Sequence, residues 1–358
     1  MNNLSEKYRL TPADLFNDRT GQWLASGIPA QVLSTARNSI TDMWFEGPGG
    51  WVYEFSALAS EAQAQGDYLL TALLYGIAKY PTPLNASKKE AYRNQLSAYL
   101  TASKKFPFRF ERKVALIPYR NITTPVVYHV LYAKNPKSAP VLLMSGGIDT
   151  YKMDIHNFCL EVFNRLDVTM LLMDIPGTGE SQVALNPDND EIYRGVIDIA
   201  RETGNGKVGY YGNSFGAYWA VRLAFERSID FALAVGAPLN KAYQKHDNSL
   251  LRSDLGMNGV FSVALGMDDI ASVDDLWDRI GIFALENLEA WDNVVSAPLF
   301  LVNGSDDPYV PNEDITHFDS VNNIQTWLLD NAGHCAARRA KEVVPVVVEW
   351  LGKHIAAS

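Results

Sequence analysis

Residues 207–227 read KVGYYGNSFGAYWAVRLAFER, and this stretch decides the fold. Residues 207–211 form a short apolar run typical of a buried strand, and residues 217–227 have the composition of a helix. Between them, residues 212–216 are Gly-Asn-Ser-Phe-Gly, a Gly-x-Ser-x-Gly string. Alone, the string is common and could be a turn with a capping serine. Between a strand and a helix, it predicts a tight turn that projects Ser214 above a sheet edge.

Further apolar runs follow one another through the C-terminal two thirds of the chain, and amphipathic stretches separate several of them. The runs are 126–132, 141–144, 168–173, 208–211, 231–235, 299–302 and 326–329. Most are continuous or β-branched, as expected for strands that are buried on both faces. With the turn at Ser214, this pattern predicts an α/β-hydrolase fold, a mostly parallel eight-stranded sheet flanked by helices.

The remaining segments predict a cap that precedes this sheet and an insertion within it. Residues 1–112 are expected to form an N-terminal helical cap, because helical spacing runs over 56–80, up to Pro81 and Pro83, and again over 88–104. Residues 113–358 are expected to form the catalytic domain. Within it, residues 240–292 are too long for a simple connection and predict a lid-like insertion before the acid-bearing strand.

A serine hydroxyl needs a base and an orienting acid, and this fold supplies them in the order Ser, acid, His. Two adjacent aspartates, Asp306 and Asp307, follow the strand at 299–302. We favour Asp307, which stands three residues after a glycine and before a proline, and interpret Asp306 as a turn residue. His334 follows the last strand and is the predicted base, whereas Cys335 is interpreted as a packing residue.

An oxyanion hole is expected beside the serine, because acyl transfer develops negative charge on a carbonyl oxygen. The backbone N–H of Phe215 is one predicted donor. The second donor is expected from the double-glycine loop at 145–149, where Gly147 and Ile148 both remain candidates. His246 lies in the insertion and is a further residue that could face a substrate.

Composition narrows the classes of partner. The chain has 358 residues, a net charge of −10 and 47% apolar residues, typical of a globular protein whose acidic surface disfavours nucleic acid and anionic membranes. The chain has only two cysteines and no cluster of His and Cys ligands. We therefore expect no disulfide framework, no metal and no cofactor. No signal-peptide pattern begins the sequence. We therefore expect a cytoplasmic protein with a small-molecule substrate and leave a homodimer open.

Two further loops resemble the FrsA-like branch of the α/β-hydrolases. They are the double-glycine loop with Lys152 and Asp154, and residues 174–180, which read Asp-Ile-Pro-Gly-Thr-Gly-Glu. The segments Gly66-Asp67-Tyr68 and Tyr80-Pro81 resemble the N-terminal cap of the same branch. The branch includes esterases, a dihydroxypseudooxynicotine hydrolase that cleaves a carbon–carbon bond, and hydrolases that shorten polyketides. The resemblance implies the triad Ser214, Asp307 and His334 with a backbone oxyanion hole, but no particular substrate.

The sequence thus predicts a serine hydrolase that forms an acyl-enzyme on an ester or on a β-dicarbonyl carbon–carbon bond, with both bonds open. The aromatic-rich cap, by composition and analogy, favours a bulky, aromatic or polyketide-like substrate. One rival is an acyltransferase that uses the same acyl-enzyme. A second rival is a non-catalytic binding protein on this fold, which predicts the loss of a triad member, whereas all three are present.

Overall fold

The computed structural model describes residues 10–245, 250–287, 295 and 297–356, in which eight strands form one sheet. The strands are β1 Phe110–Tyr119, β2 Ile122–Leu131, β3 Val141–Ser145, β4 Thr169–Met173, β5 Val208–Asn213, β6 Phe231–Val235, β7 Leu299–Gly304 and β8 Ile324–Leu329. Their order is β1-β2-β4-β3-β5-β6-β7-β8. β2 runs antiparallel to β1 and β4, and the other neighbouring pairs are parallel. The predicted fold class is therefore confirmed.

Helices cover both faces of the sheet and explain why its central strands are continuously apolar. Along β3, Val141 and Leu143 join one apolar core, while Leu142 and Met144 join the other. The first core includes residues of α7 Asp190–Thr203 and α8 Phe215–Phe225, and the second includes residues of α6 His156–Arg165 and α12 Ala340–Ala356. Every residue of β3 is buried because successive side chains enter opposite cores.

The edge strand β1, which is not among the predicted apolar runs, has a different burial pattern. Arg112 and Lys113 are exposed, and Val114 and Leu116 are apolar but also exposed. A strand at the edge of a sheet has no neighbour on one side, so its residues need not be continuously apolar. The strand begins at Phe110, so the predicted boundary at 112/113 falls inside it.

From residue 10 onward, five α-helices precede the sheet: α1 Pro12–Ala25, α2 Ala30–Ser39, α3 Trp51–Ala64, α4 Tyr68–Ala78 and α5 Ala86–Ala102. Two helices thus share the helical spacing over 56–80, and the interpretation of that range as a single helix was wrong. Gly66 has a φ of 76°, which favours glycine, and the Asp67 carboxylate accepts a hydrogen bond from Leu70 N at 3.0 Å. These two residues end one helix and cap the next.

The described part of the insertion contains α9 Met257–Ala264 and α10 Val273–Ile280, and the short helix α11 Glu313–Thr316 follows β7. His246 and the rest of residues 246–249 and 288–292 lie outside the described residues. The rings of Phe261 and Phe283 lie 5.9 and 5.5 Å from the ring of Phe215, so the insertion packs against the start of α8. No helix in the described ranges is long and apolar enough to cross a membrane.

Candidate active site

Ser214 occupies a sharp turn between β5 and α8. Its φ of 54° is rare for a residue with a side chain, and its N–H donates to Val235 O at 2.7 Å. Small neighbours are required here. A Cβ on Gly212 would lie 2.1 Å from Gly216 O, and a Cβ on Gly216 would lie 2.3 Å from Gly146 O. The two glycines therefore allow the strand, the turn and the double-glycine loop to approach one another closely.

The structure brings Ser214, His334 and Asp307 together, although 120 residues separate the first two. Ser214 Oγ lies 2.8 Å from His334 Nε2, and His334 Nδ1 lies 2.7 Å from Asp307 Oδ2. This geometry lets a neutral imidazole accept the proton of Ser214 while its other N–H donates to the carboxylate. The three residues predicted from their order in the sequence thus form one continuous hydrogen-bonded series.

Of the two adjacent aspartates, Asp307 is the one that faces the imidazole. Its side chain is fully buried and accepts hydrogen bonds from Asn303 Nδ2 at 2.8 Å and from Tyr309 N at 2.7 Å. Asp306 points away, and accepts from Gly333 N at 2.8 Å and from Arg338 at 2.6 Å. It therefore bonds to the loop that carries His334, as a turn residue does.

The environment of His334 favours its protonated form. Burial alone would lower its pKa, because a buried imidazolium loses its hydration. The adjacent Asp307 carboxylate and Cys335 together outweigh this effect, so the pKa of His334 lies well above that of a free histidine. A base in this environment requires a higher pH to become neutral than an exposed imidazole does.

The predicted oxyanion donors surround the same serine. Phe215 is the first residue of α8, where a helix has free N–H groups. A Cβ on Gly147 would lie 2.9 Å from Ser214 Cβ, so the double-glycine loop passes directly beside the serine. Ile148 lines a small pocket together with Ser214 and Phe215. Both Gly147 and Ile148 therefore remain candidates for the second donor.

A cavity of about 730 Å³ opens onto Ser214 and His334. Its walls come from the N-terminal helices, the double-glycine loop, α6 and α12, and they are largely apolar. The apolar and aromatic lining includes Trp23, Ile28, Leu73, Ile77, Ile155, Phe158, Tyr211 and Val347. A pocket of this size accommodates a drug-sized molecule.

Cys335 also lines this cavity, next to His334. Its Sγ lies 3.4 Å from Val235 O and can donate a weak hydrogen bond there. The sequence interpretation, in which this thiol points away from the site as a packing residue, did not anticipate its place in the cavity wall.

Sequence reasoning also missed a charged residue at the site. Arg19 of α1 lines the cavity beside Ser214, and its side chain is almost fully buried. Its partners come from distant parts of the chain, including Asp149 and Tyr309. No local pattern around position 19 could have revealed them.

The two loops that carried the family resemblance meet at a buried cation. Lys152 is fully buried, and its Nζ lies 2.5 Å from Asp174 Oδ2 and 2.8 Å from Glu180 Oε2. This ion pair fixes the segment that follows the double-glycine loop. Among the described residues, no group of three or more His, Cys, Asp or Glu side chains is arranged to hold a metal ion.

Comparisons with known proteins agree with this architecture. Residues 41–355 match the family model described as Esterase FrsA-like. The FrsA esterases of Vibrio vulnificus (strain YJ016) and Vibrio cholerae (El Tor Inaba N16961) are each 26% identical over 259 residues, which cover 63% of this chain. The match spans only 61% of the length of these relatives.

Two solved structures share the fold over almost the whole chain. AbyA5 has a TM-score of 0.82 at 17% identity, and covers 100% of this chain and 96% of its own. The 2,6-dihydroxy-pseudo-oxynicotine hydrolase has a TM-score of 0.72 at 16% identity, with 94% and 96% covered. These likenesses confirm the predicted fold, and the family model confirms the predicted branch. The chain therefore belongs to the Esterase FrsA-like family.

Proposed function

We propose that this chain is a serine hydrolase that cleaves an ester of a bulky, largely apolar substrate by way of an acyl-enzyme at Ser214. The observation that carries the proposal is the hydrogen-bonded chain from Ser214 through His334 to Asp307 at the wall of a cavity of about 730 Å³. A nucleophile, a base and an orienting carboxylate in hydrogen-bond contact are the arrangement that acyl transfer requires.

In the proposed reaction, Ser214 Oγ attacks the carbonyl carbon while His334 Nε2 takes its proton. The buried Asp307 carboxylate stabilises the imidazolium that forms. The N–H groups of Phe215 and of Gly147 or Ile148 stabilise the oxyanion, and each such donor is worth roughly 3–4 kcal/mol in known cases. His334 then protonates the departing alkoxide, which leaves as the alcohol. Water attacks the acyl-enzyme with His334 again as base, which releases the acid and restores Ser214.

The same residues could cleave a β-dicarbonyl carbon–carbon bond, and this is the second candidate. The leaving group would then be an enolate, which His334 protonates instead of an alkoxide. The similarity to a solved hydrolase named for 2,6-dihydroxy-pseudo-oxynicotine extends to the fold alone. We place ester cleavage first because the relatives that share 26% of aligned residues are named esterases.

An acyltransferase would form the same acyl-enzyme but transfer its acyl group to an alcohol instead of water. Adding an acceptor alcohol and measuring transesterification distinguishes an acyltransferase from a hydrolase. A non-catalytic binding protein would not need a serine, an imidazole and a carboxylate at 2.8 and 2.7 Å. It would bind substrate without turnover.

The decisive experiment combines active-site labelling with two substrate classes. A fluorophosphonate probe is expected to label Ser214, and p-nitrophenyl esters and aryl β-diketones are compared as substrates. Ser214→Ala is expected to abolish labelling and to lower kcat by up to roughly 10⁶-fold, as loss of the nucleophile does elsewhere. Turnover of the diketones alone would move the proposal to carbon–carbon cleavage. An absence of both labelling and turnover in the wild type would sink it.

A further inference from the structure

We infer that Arg19, on helix α1, is a positioning residue. It holds in place both the base His334 and the double-glycine loop, which carries the candidate oxyanion donors. The inference rests on the proposed function, since it assigns Arg19 a role in that reaction. It concerns a residue that precedes the segment 41–355 matched by the family model, so the family motifs do not include it.

Arg19 is a buried cation with partners on three parts of the chain. Its side chain is 6% exposed. Nε lies 2.8 Å from Asp18 Oδ2, Nη2 lies 2.9 Å from Asp149 Oδ2, and Nη2 also donates to Tyr309 Oη at 3.1 Å. Nη1 donates to Gln22 Oε1 at 2.9 Å. The planar guanidinium thus combines hydrogen bonds to Tyr309 and Gln22 with ion pairs to Asp18 and Asp149, whereas a lysine ammonium lacks the fork that reaches all of them.

The contact with Tyr309 leads to the base. Tyr309 N donates to Asp307 Oδ1 at 2.7 Å, and the Tyr309 ring packs edge-on against the His334 ring with 4.9 Å between centroids. Tyr309 Oη donates in turn to Asp18 Oδ2 at 2.7 Å. Arg19 and Asp18 therefore hold the far end of a side chain that restrains both His334 and its carboxylate partner.

The contact with Asp149 leads to the oxyanion loop. Asp149 directly follows Gly147 and Ile148, the two candidate donors, and it is buried. The loop is fastened from α1 a second time, because Gln22 Nε2 donates to Thr150 Oγ1 at 2.9 Å. One guanidinium thus ties the element that carries the oxyanion donors to the element that orients the base.

This arrangement matters for rate because the donors and the base must act on one carbonyl group. A misplacement of about 1 Å can cost roughly 10²-fold in rate even when binding survives. Loss of Arg19 is therefore expected to lower kcat by a larger factor than it raises KM, since the residue lines the cavity but acts mainly through Tyr309 and Asp149.

The test compares Arg19→Met, Arg19→Lys and Arg19→Ala with a matched control, Arg37→Met. Arg37 also lies in the cap and fastens α1, through Asn17 at 2.7 Å, but it is not among the residues that line the cavity. Thermal unfolding of each variant establishes that it is folded. We expect Arg19→Met to lower kcat by about 10²-fold, Arg37→Met to leave kcat unchanged, and millimolar guanidinium to restore part of the activity of Arg19→Ala.

The pH profile separates positioning from general loss of structure. His334 is faced by the carboxylates Asp307 and Asp18, by Arg19 and Arg338, by the phenol of Tyr309 and by the thiol of Cys335. Removing the Arg19 cation leaves Asp18 and Asp149 uncompensated, which favours the imidazolium. The acidic limb of kcat/KM is expected to move to higher pH in Arg19→Met and to stay in place in Arg19→Lys.

Three outcomes would overturn the inference. They are an effect on KM alone, a loss of activity in proportion to lost folded protein without guanidinium rescue, and unchanged kinetics with unchanged labelling of Ser214. Each is read against wild-type protein that labels with fluorophosphonate. Failure of the wild type both to label and to turn over either substrate class would instead reject the proposed function itself.

Discussion

At the scale of single residues, Asp307 is a buried charge whose hydrogen bonds are satisfied. Asn303, Tyr309 and Val310 donate to it, and His334 Nδ1 provides a further contact. Burying a carboxylate without such partners would be costly. Because the carboxylate can only accept, it selects the imidazole tautomer that has a proton on Nδ1 and a free lone pair on Nε2 toward Ser214.

Asp307→Asn is therefore expected to lower kcat by about 10⁴-fold, since an amide can donate to Nδ1 and stabilise the wrong tautomer. Asp307 raises the pKa of His334, and the neutral imidazole is the active form, so wild-type activity is lost as pH falls through that raised pKa. In the variant, the acidic limb of kcat/KM should move to lower pH.

The measurement is kcat/KM against pH for both proteins, with Asp306→Asn as the control. Asp306 bonds to Gly333 and Arg338 rather than to the imidazole. A shift of the acidic limb in the control as large as that in Asp307→Asn would contradict the assignment of the acid.

The residues that sequence identified are those whose chemistry imposes a local pattern. Ser214 needs small neighbours in a turn, and Asp307 and His334 follow strands in an order set by the fold. Arg19 has no comparable signal, because its burial depends on Asp149 and Tyr309, which are 130 and 290 positions away. Side-chain clusters that form only through tertiary packing cannot be predicted from the pattern of neighbouring residues in the sequence.

At the scale of elements, the turn between β5 and α8 is tied sterically to the double-glycine loop. A Cβ on Gly216 would meet Gly146 O at 2.3 Å and Ser145 O at 2.8 Å, which are backbone atoms that cannot rotate away. Gly216→Ala is therefore expected to destabilise the protein by about 2–3 kcal/mol and to lower kcat by displacing the double-glycine loop.

Denaturant unfolding and kcat of Gly216→Ala are compared with those of Gly281→Ala. A Cβ on Gly281 would meet no atom within 4 Å, so the same added methyl group should be nearly neutral there. Equal stabilities and rates for the two variants would show that the close approach at Gly216 does not constrain the loop.

The predictability of the other elements follows from how each is buried. Strands β3 to β6 are buried on both faces and therefore appear as continuous apolar runs. The edge strand β1 is half exposed, and in its apolar run 114–117 both Val114 and Leu116 are exposed. The break between α3 and α4 depends on the backbone of Gly66 and the cap formed by Asp67, which helical spacing alone does not reveal.

At the scale of the whole molecule, the N-terminal helices have an apolar core of their own, yet they contribute one side of the cavity beside Ser214. The sequence predicted the helices and the sheet, but it could not predict how they dock. Docking relies on buried polar contacts such as the ion pair between Lys79, directly after α4, and Asp154, after the double-glycine loop. Lys79 Nζ lies 2.9 Å from Asp154 Oδ2 and 4.4 Å from the centre of the Tyr151 ring.

Asp154→Asn tests how strongly this contact joins the two parts. Lys79 is 3% exposed, so loss of the carboxylate leaves a buried ammonium without its counter-charge. Asp154 also accepts hydrogen bonds from Gln95 Nε2 at 2.5 Å and Tyr151 N at 2.7 Å, only some of which an amide can replace. We expect the free energy of unfolding to fall by about 3 kcal/mol.

The control is Glu342→Gln, which breaks a surface pair with Arg339 and should lower the free energy of unfolding by less than about 0.5 kcal/mol. If denaturant unfolding gives both variants the same stability, the ion pair does not fasten the helices to the sheet, and the other contacts between them, such as that of Gln22 with Thr150, must do so.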